Sequence, residues 1–328
     1  MIMRPDFWDG HGAIIQLLRP FAAIWTLVTR IRQATHKPAH MPVPVICVGN
    51  VTAGGAGKTP TAIALAERLS AQGWWPHVLT RGYGGKLEGP VKVDLEIHTA
   101  HDVGDEALLL ARHATVWVGG DRNASAIRAL ADDADILVMD DGLQNPSLAR
   151  DLSFLVIDGP AGLGNGHVMP VGPLRETLDD ALAKVRAVVL IGEDSHGLAQ
   201  RCAGDGRVVL SGRLQPRPEA MAFDGATIFA FAGIARPAKF FQTMEELGAV
   251  VLKSRSFPDH HVYNAMEITG MLEEAHTLGA RLVTTRKDWM RLDADTRPLV
   301  ETVAVDLVFD DTEALDGLLL PLKPHHGL

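Results

Sequence analysis

A glycine-rich loop stands between a short apolar run at residues 45–48 and a helix-forming stretch that begins near residue 58. It reads GNVTAGGAGKT over residues 49–59 and ends in Lys58 and Thr59. Glycines let backbone N–H groups turn inward around an anion, while the lysine adds a positive charge. Strand, loop and helix in this order predict a phosphate-binding loop, although Thr52 takes the place of the first glycine in the usual G-x-x-x-x-G-K-[ST] pattern.

The loop also indicates which residues contact a nucleotide. In such loops the lysine reaches the β- and γ-phosphates, and the hydroxyl of the following threonine is offered to Mg²⁺. ATP with Mg²⁺ is therefore the predicted cofactor. The predicted nucleotide-binding residues are Thr52, Ala53, Gly54, Gly55, Ala56, Gly57, Lys58 and Thr59.

Short apolar runs alternate with helical segments beyond the loop, as is typical of βαβ units and a parallel sheet. Buried strands are predicted at residues 45–48, 77–80, 116–118, 136–139, 154–157 and 188–191, and in a second α/β stretch at 228–231, with helices at 237–247 and 264–278. We therefore predict an α/β fold with a P-loop NTPase-like parallel sheet core, an N-terminal amphipathic helix and a second, smaller α/β domain. The predicted divisions are a basic helical segment at 1–40, a P-loop kinase domain at 41–205, a linker at 206–222 where Gly, Arg and Pro loosen the pattern, and the second domain at 223–328.

Acidic residues are missing from the first part of the chain. None lies between Asp9 and Glu67, although the chain has 40 acidic and 31 basic residues in total. Apolar residues recur there at steps of three and four, on one face of a helix. Arg19 and Arg30 interrupt the run, and a spanning helix needs about 20 mostly apolar residues, so we expect the helix to lie in a membrane interface. The alternative is a helix that packs on the protein's own core.

The net charge and the cysteine content exclude a general nucleic-acid-binding protein and a small protein stabilised by disulfides. A net charge of −9 argues against a general nucleic-acid-binding protein, whose footprint is a basic surplus. The two cysteines, Cys47 and Cys202, cannot form a disulfide framework, which favours a reducing compartment. Near an anionic membrane, each basic residue of the N-terminal segment contributes about 1 kcal/mol, so we expect peripheral and reversible attachment.

An acidic pair follows the strand predicted at 136–139, in the order Asp140, Asp141 and Gly142. An acid at the end of a buried strand commonly steadies the Mg²⁺ of a bound nucleotide. A solvated turn before the glycine is the alternative interpretation. The phosphate-binding loop upstream favours the metal site.

Seven further motifs follow the loop in order. With the loop, they resemble the tetraacyldisaccharide 4′-kinases of lipid A biosynthesis, membrane-associated P-loop kinases, over most of the chain. Thr52 fits this resemblance because the family's own loop departs from the usual pattern there. Arg286 stands where the family has an acid, so no role is assigned to Lys287 and Asp288. The motifs are TRGYGG at 80–85, VGDE at 103–106, DR at 121–122, DDGLQ at 140–144, GPLRE at 172–176, FPDHH at 257–261 and TTRKD at 284–288.

The resemblance implies roles for individual residues. Asp105 works with a distant histidine, for which we favour His260 while the sequence leaves His261 open, as the base that takes the proton from a sugar hydroxyl. Arg122 joins Lys58 in offsetting the charge of the transferring phosphoryl group. The implied metal residues are Thr59, Asp140, Asp141, Gln144 and Glu176, and those implied around the acceptor or the nucleotide are Arg81, Tyr83 and Arg175.

The function implied by the resemblance is ATP-dependent phosphorylation of the 4′-hydroxyl of a tetraacylated glucosamine disaccharide 1-phosphate. The expected partners are this lipid and an anionic membrane surface at the cytoplasmic face of the bacterial inner membrane, with no nucleic acid and no obligate protein partner. Two alternatives stay open on the residues alone. One is a soluble P-loop kinase of a small metabolite, and the other is a non-enzymatic protein gated by ATP.

Overall fold

The chain is described by a computed structural model over residues 5–9 and 13–322. Its strands are β1 (Val45–Gly49), β2 (Pro76–Thr80), β3 (Val91–Lys92), β4 (Thr115–Val118), β5 (Ile136–Asp140), β6 (Leu152–Asp158), β7 (Ala187–Ile191), β8 (Val208–Pro216), β9 (Thr227–Ala232), β10 (Val250–Ser256), β11 (Arg281–Thr285), β12 (Glu301–Val303) and β13 (Val305–Phe309). Its helices are α1 (Ala13–Thr35), α2 (Lys58–Ala71), α3 (Ala100–Val103), α4 (Asp105–Ala111), α5 (Arg122–Leu130), α6 (Leu178–Leu182), α7 (Leu198–Cys202), α8 (Pro237–Glu246), α9 (Ala265–Leu278), α10 (Arg286–Trp289) and α11 (Thr312–Leu319). The α/β class is therefore confirmed, and each predicted strand falls within one or two residues of an observed one.

A nine-stranded sheet forms the larger part of the molecule, in the order β13-β8-β7-β6-β1-β5-β2-β4-β3. Its strands are parallel except at the two edges, where β3 and β13 run antiparallel to their neighbours. Strand β1 lies between β5 and β6, and Val48 is in register with Asp140 of β5. The carboxyl ends of β1 and β5 therefore meet at one edge of the sheet, where open α/β sheets bind their ligands.

The core of this sheet explains why its central strands read as unbroken apolar runs. Every residue of β1, β5, β6 and β7 is buried, because helices cover both faces of the sheet. The covering helices contribute small and branched residues on their inner faces, such as Leu65 and Leu69 of α2 and Ala126 of α5. This packing fixes the end of β1, and with it the loop that follows.

A second sheet, ordered β10-β9-β11-β12, is wholly parallel and lies within residues 217–304, which we call the second unit. The structure differs here from the predicted linker at 206–222. Residues 208–216 form β8, which pairs with both β7 and β13 in the nine-stranded sheet. Exposed and buried positions mix along β8 because it lies near the edge, and this dilutes the apolar pattern that marks a central strand.

The end of the chain also differs from the predicted second domain at 223–328. Strand β13 returns to the nine-stranded sheet, where Phe309 is in register with Gly212 of β8. Leu315 and Leu319 of α11 belong to the core of the larger sheet. The second unit is therefore inserted between two neighbouring strands, a long-range pairing that no local pattern announces.

Helix α1 runs without a break through Pro20 and exposes most of its apolar residues. The indole N–H of Trp25 donates to the carbonyl oxygen of Arg175 at 2.9 Å, and Arg30 pairs with Asp180 at 3.0 Å. By length and composition, residues 14–35 are also sufficient to cross a membrane, with a mean hydropathy of 1.3 and only 6% of the window buried. Burial in the protein's own core is thus wrong for most of this helix, and the interfacial position stays a prediction. Besides Trp25, the large apolar side chains that α1 exposes, which we call the apolar face of α1, are Ile14, Leu17, Phe21, Ile24, Leu27, Val28 and Ile31.

Candidate active site

The phosphate-binding loop connects β1 to α2 in the way that the sequence predicts. Gly54 and Gly57 have φ angles of 109° and 90°, in the region that favours glycine. A Cβ on Gly57 would lie 2.4 Å from Cδ1 of Ile191, so any other residue here would force the buried isoleucine side chain to move. The loop is tied to the segment before α6 by a hydrogen bond of 2.8 Å from the Ala53 N–H to the Pro173 carbonyl oxygen.

Lys58 is held in place at the start of α2. Its ammonium donates to Asn50 Oδ1 at 3.0 Å and lies 3.5 Å from Asp141 Oδ1. The amide of the fully buried Asn50 in turn donates to the carbonyl oxygen of Thr52 at 2.7 Å. Asn50 therefore orients both the loop and its lysine, a role that its position in the motif does not reveal. Thr59, next along α2, is buried.

Asp140 is buried at the end of β5, and its Oδ1 has no hydrogen-bond partner among the described residues. Burial, together with the charges of Glu106 and Asp141, raises the pKa of Asp140 from 3.8 to about 7. A buried carboxylate oxygen without a partner suits a hard divalent cation such as Mg²⁺. In the described part of the chain, no three His, Cys, Asp or Glu side chains group closely enough to bind a metal alone, which fits an ion that is shared with phosphate oxygens and water.

The other residues predicted to bind the metal form a hydrogen-bonded network beside Asp140. Arg175 Nη1 contacts both oxygens of Asp141, at 2.8 and 2.9 Å, and the Lys58 and Arg175 charges outweigh burial to lower the Asp141 pKa. Gln144 Nε2 donates to Glu176 Oε1 at 2.8 Å, and Lys184 pairs with the other oxygen of Glu176. Asp141, Gln144 and Glu176 all have protein partners, whereas Asp140 has a buried oxygen with no partner among the described residues.

Asp105 and His260 meet across the cleft between the nine-stranded sheet and the second unit. His260 Nδ1 lies 3.2 Å from Asp105 Oδ2, and the carboxylate is only 3% exposed. Burial would raise the pKa of Asp105, but the hydrogen bond with His260 and the charges of Lys287 and Arg291 outweigh it and lower the pKa below its ordinary 3.8. Asp105 is therefore a carboxylate at neutral pH, well suited to orient the imidazole beside it.

His261 points away from this pair. Its Nε2 lies 3.1 Å from a carboxylate oxygen of Glu267 in the first turn of α9, and its ring stacks on Phe257 at 4.7 Å. His260 has a φ of 59°, in the left-handed region, and its side chain contacts Asp105 whereas that of His261 contacts Glu267. The geometry thus selects His260 from the two candidates that the sequence left open.

The remaining predicted residues lie at the margins of the cleft or beneath it. Tyr83 is exposed, and its ring lies 5.2 Å from that of His260. Arg122 is buried and donates to the Gly119 carbonyl oxygen, while its Nε has no partner among the described residues. Burial lowers the pKa of Arg122, against the charges of Asp140 and Asp141. Arg81 is exposed and has no described contact with the site.

Lys287 and Asp288, to which the sequence assigned no role, lie at the site. Lys287 Nζ donates to Glu106 Oε1 at 2.9 Å and lies 3.4 Å from His260 Nε2. Glu106 also contributes to the raised pKa of Asp140, so it links the metal side of the cleft to the Asp105–His260 side. Arg286 departs from the family motif, yet the next residue of α10, Lys287, contacts Glu106 and His260, and Asp288 is fully buried among groups of the second unit.

A phosphate-binding loop, a buried acid suited to Mg²⁺ and a carboxylate–imidazole pair facing one cleft define a P-loop phosphotransferase. The family model described as tetraacyldisaccharide-1-P 4′-kinase matches residues 14–322, and the chain belongs to this family. The tetraacyldisaccharide 4′-kinase of Rhodospirillum centenum is 49% identical over 332 residues, covering 98% of each chain. That of Rhodospirillum rubrum is 48% identical over 318 residues, covering 96% of each. Among solved structures, the LpxK of Aquifex aeolicus in complex with ATP has the same fold, with a TM-score of 0.75, 24% identity, and coverage of 94% of this chain and 99% of that one.

Proposed function

We propose that the protein transfers the γ-phosphoryl group of ATP, with Mg²⁺, to the 4′-hydroxyl of a tetraacylated glucosamine disaccharide 1-phosphate at the cytoplasmic face of the bacterial inner membrane. Membership of the tetraacyldisaccharide-1-P 4′-kinase family supports the reaction. The observation that carries it is the contact of 3.2 Å between His260 and the buried Asp105, which provides a proton acceptor opposite the nucleotide loop.

In the proposed step the 4′-oxygen forms a bond to the γ-phosphorus, the bond from that phosphorus to the β–γ bridging oxygen breaks, and ADP leaves. The hydroxyl proton passes to the Asp105–His260 pair. Ionised Asp105 favours this transfer because it stabilises the imidazolium that results. Phosphoryl transfer needs little covalent help from the protein, so positioning and charge neutralisation supply most of the rate.

The groups around the loop neutralise the negative charge of the phosphates. Lys58 supplies a positive charge for the β- and γ-phosphates, oriented by Asn50 at 3.0 Å. Asp140 and the Thr59 hydroxyl would hold Mg²⁺, which offsets phosphate charge when it is bound. Arg122, whose Nε lacks a described partner, would add to the charge behind the loop. Asp141, Gln144, Glu176 and Arg175 would keep this side of the cleft fixed.

The membrane location rests on α1. Its apolar face is exposed, while Trp25 and Arg30 contact the segment that carries Arg175 and Asp180. A lipid acceptor held at the interface would then enter the cleft beside that segment. Tyr83 and Arg81, exposed at the cleft margin, are the proposed contacts for the sugar or the nucleotide.

The test is transfer of radiolabelled γ-phosphate to a panel of acylated and unacylated disaccharides in detergent, with Mg²⁺. We expect label only on the acylated disaccharide, and Lys58→Ala to lower kcat by at least about 100-fold, since a lost donor to a transition-state oxyanion costs that much. Lys92→Ala, which removes an exposed pair with Asp132, is the matched control and should be unaffected. Label on a water-soluble acceptor without detergent would indicate a small-metabolite kinase, and ATP that binds without transfer to any acceptor would indicate an ATP-gated binding protein.

A further inference from the structure

Arg291 belongs to none of the sequence motifs, yet its positive charge is deeply enclosed beside Asp105. It lies just after α10, and its side chain is only 4% exposed. Its guanidinium Nε and Nη2 contact Asp105 Oδ2 at 2.6 and 2.5 Å. A charge this deeply buried destabilises the fold unless it is paired and hydrogen-bonded. The pairing of Arg291 with Asp105 therefore suggests that the arginine serves the site.

The other edge of the guanidinium is fixed within the second unit. Arg291 Nη1 donates to the Gly233 carbonyl oxygen and to Asp288 Oδ1, both at 2.7 Å. Asp288 is itself fully buried and held by the Gly233 N–H at 3.0 Å, the Tyr263 hydroxyl at 2.9 Å and the Thr285 hydroxyl at 2.6 Å. The arginine is therefore oriented by its own unit before it meets Asp105 of the opposite one.

We infer that Arg291 is a positioning residue for phosphoryl transfer, whose guanidinium fixes the Asp105 carboxylate in the orientation that holds His260. This inference rests on the proposed function. A planar guanidinium can serve acceptors along two edges at once, whereas an ammonium acts as a single point charge. Because Arg291 and His260 both belong to the second unit while Asp105 opens α4, the acid is oriented only when the two units meet.

The charges around Asp105 define what the loss of Arg291 should change. His260, Lys287 and Arg291 face it from the second unit, and Glu106 follows it on α4. The negative charges of Asp259 and Asp288 lie near Lys287 and Arg291 respectively. Burial raises the pKa of Asp105, and the positive charge of Arg291 opposes this effect. Without Arg291, the Asp105 carboxylate should therefore take up a proton at higher pH.

The experiment compares Arg291→Gln and Arg291→Lys in the full-length protein with mixed micelles. We expect Arg291→Gln to lower kcat by about 100-fold, with little change in KM for ATP, and to move the acid limb of the kcat profile to higher pH. Arg291→Lys keeps the charge but loses the two-edged contact, so it should recover part of kcat and most of the acid limb. Arg281→Gln, which removes an exposed ion pair with Glu301 in the same unit, is the matched control and should leave both unchanged.

A readout that needs no acceptor separates this inference from the proposed function. The ¹³C carboxyl resonance of Asp105, assigned with Asp105→Asn, should titrate at higher pH in Arg291→Gln than in the wild type, whether or not lipid is phosphorylated. Wild-type protein that phosphorylates no disaccharide would overturn the proposed function alone. Arg291→Gln with unchanged kcat and an unmoved Asp105 titration would overturn the inference. If thermal unfolding shows that Arg291→Gln does not fold, Arg291→Lys decides, since wild-type kcat in that variant would exclude a positioning role for the guanidinium.

Discussion

The indole N–H of Trp25 donates to the backbone carbonyl oxygen of Arg175 at 2.9 Å, while the side chain of Arg175 holds Asp141 beside the nucleotide loop. A helix with an exposed apolar face is thus connected, through Arg175, to Asp141 at the end of β5. The attachment places any surface on which α1 lies next to the segment that leads into the site.

Polar substitution of the apolar face of α1 should abolish membrane partition. Leu17, Phe21 and Ile24 are 73%, 58% and 59% exposed, so their replacement by Gln costs little folding stability. Each apolar side chain buried in lipid contributes about 1.5–3 kcal/mol, and the triple variant should bind anionic vesicles at least 100-fold more weakly in a sedimentation assay. Ile127→Gln, 56% exposed on α5, is the control, and a triple variant that binds as tightly as wild type would exclude the interfacial role.

Asp140 makes the ligand-free protein sensitive to pH. Its pKa is raised by burial to about 7, so between about pH 4 and 7 the folded protein holds a proton that the unfolded chain has released. Folding stability should therefore fall as pH rises through this range. Asp140→Asn should unfold at a higher temperature than wild type at pH 8, and the two should converge near pH 4.

Mg²⁺ should reverse the pH trend because it binds the ionised carboxylate. In differential scanning fluorimetry with ATP, Mg²⁺ should raise the wild-type Tm more at pH 8 than at pH 6, and it should raise the Tm of Asp140→Asn far less. Asp310→Asn, which removes an exposed partner of Arg213, is the control. An equal Mg²⁺ effect in Asp140→Asn and wild type would argue against Asp140 as a ligand.

The two adjacent histidines should differ sharply in their effect on catalysis. His260→Ala removes the imidazole that contacts Asp105 and should lower kcat by about 100-fold or more, with KM for ATP little changed. Asp105→Ala should lower kcat to a similar extent. His261→Ala loses the pair with Glu267 and the packing on Phe257 and Tyr263, so it should retain most of kcat and lose stability instead. Steady-state kinetics that rank His261→Ala below His260→Ala would contradict the assignment.

Gly57→Ala should damage the nucleotide loop more than its backbone angle alone explains. A left-handed alanine costs about 1–3 kcal/mol, and here its Cβ would also lie 2.4 Å from the Ile191 side chain. Gly73 has nearly the same φ, 89° against 90°, but open space around it, so Gly73→Ala isolates the backbone cost. Urea unfolding should show the larger loss in Gly57→Ala, which should also bind ATP more weakly. Equal losses in the two variants would show that the loop shifts freely around the added methyl group.

Local patterns account for the parts of the fold and site that sequence reasoning predicted. The central strands, the phosphate-binding loop and the acids at the end of β5 each lie within one short segment, where burial and glycine geometry leave a visible pattern. The placement of Asp105 near a distant histidine came from the family resemblance. Choosing His260 required the structure, because His261 is turned away by a carboxylate on α9, six residues later in the chain.

Contacts between residues far apart in the chain account for the parts of the fold and site that the sequence does not predict. Asn50 orients Lys58 through a side-chain contact that no spacing rule describes, and Arg291 reaches Asp105 across 186 residues. The sequence predicts a linker where β8 lies, because strands near a sheet edge carry mixed polarity. The partner strand β13 follows only after the whole of the second unit. These are contacts between elements, which the sequence of either element alone does not encode.

Pro216 and Val305 face each other on the adjacent strands β8 and β13, so the chain departs from the larger sheet and rejoins it at one place. A turn of a few residues would join these positions in place of residues 217–304 without breaking a hydrogen bond between strands of that sheet. Residues 217–304 therefore form an insertion that brings His260 and Arg291 to a sheet whose own helix α4 carries Asp105. Exchanging this insertion between relatives would replace the histidine and the arginine but not the carboxylate, so a working graft must keep the contacts of Arg236 with Asp158 and of Met290 with the larger core.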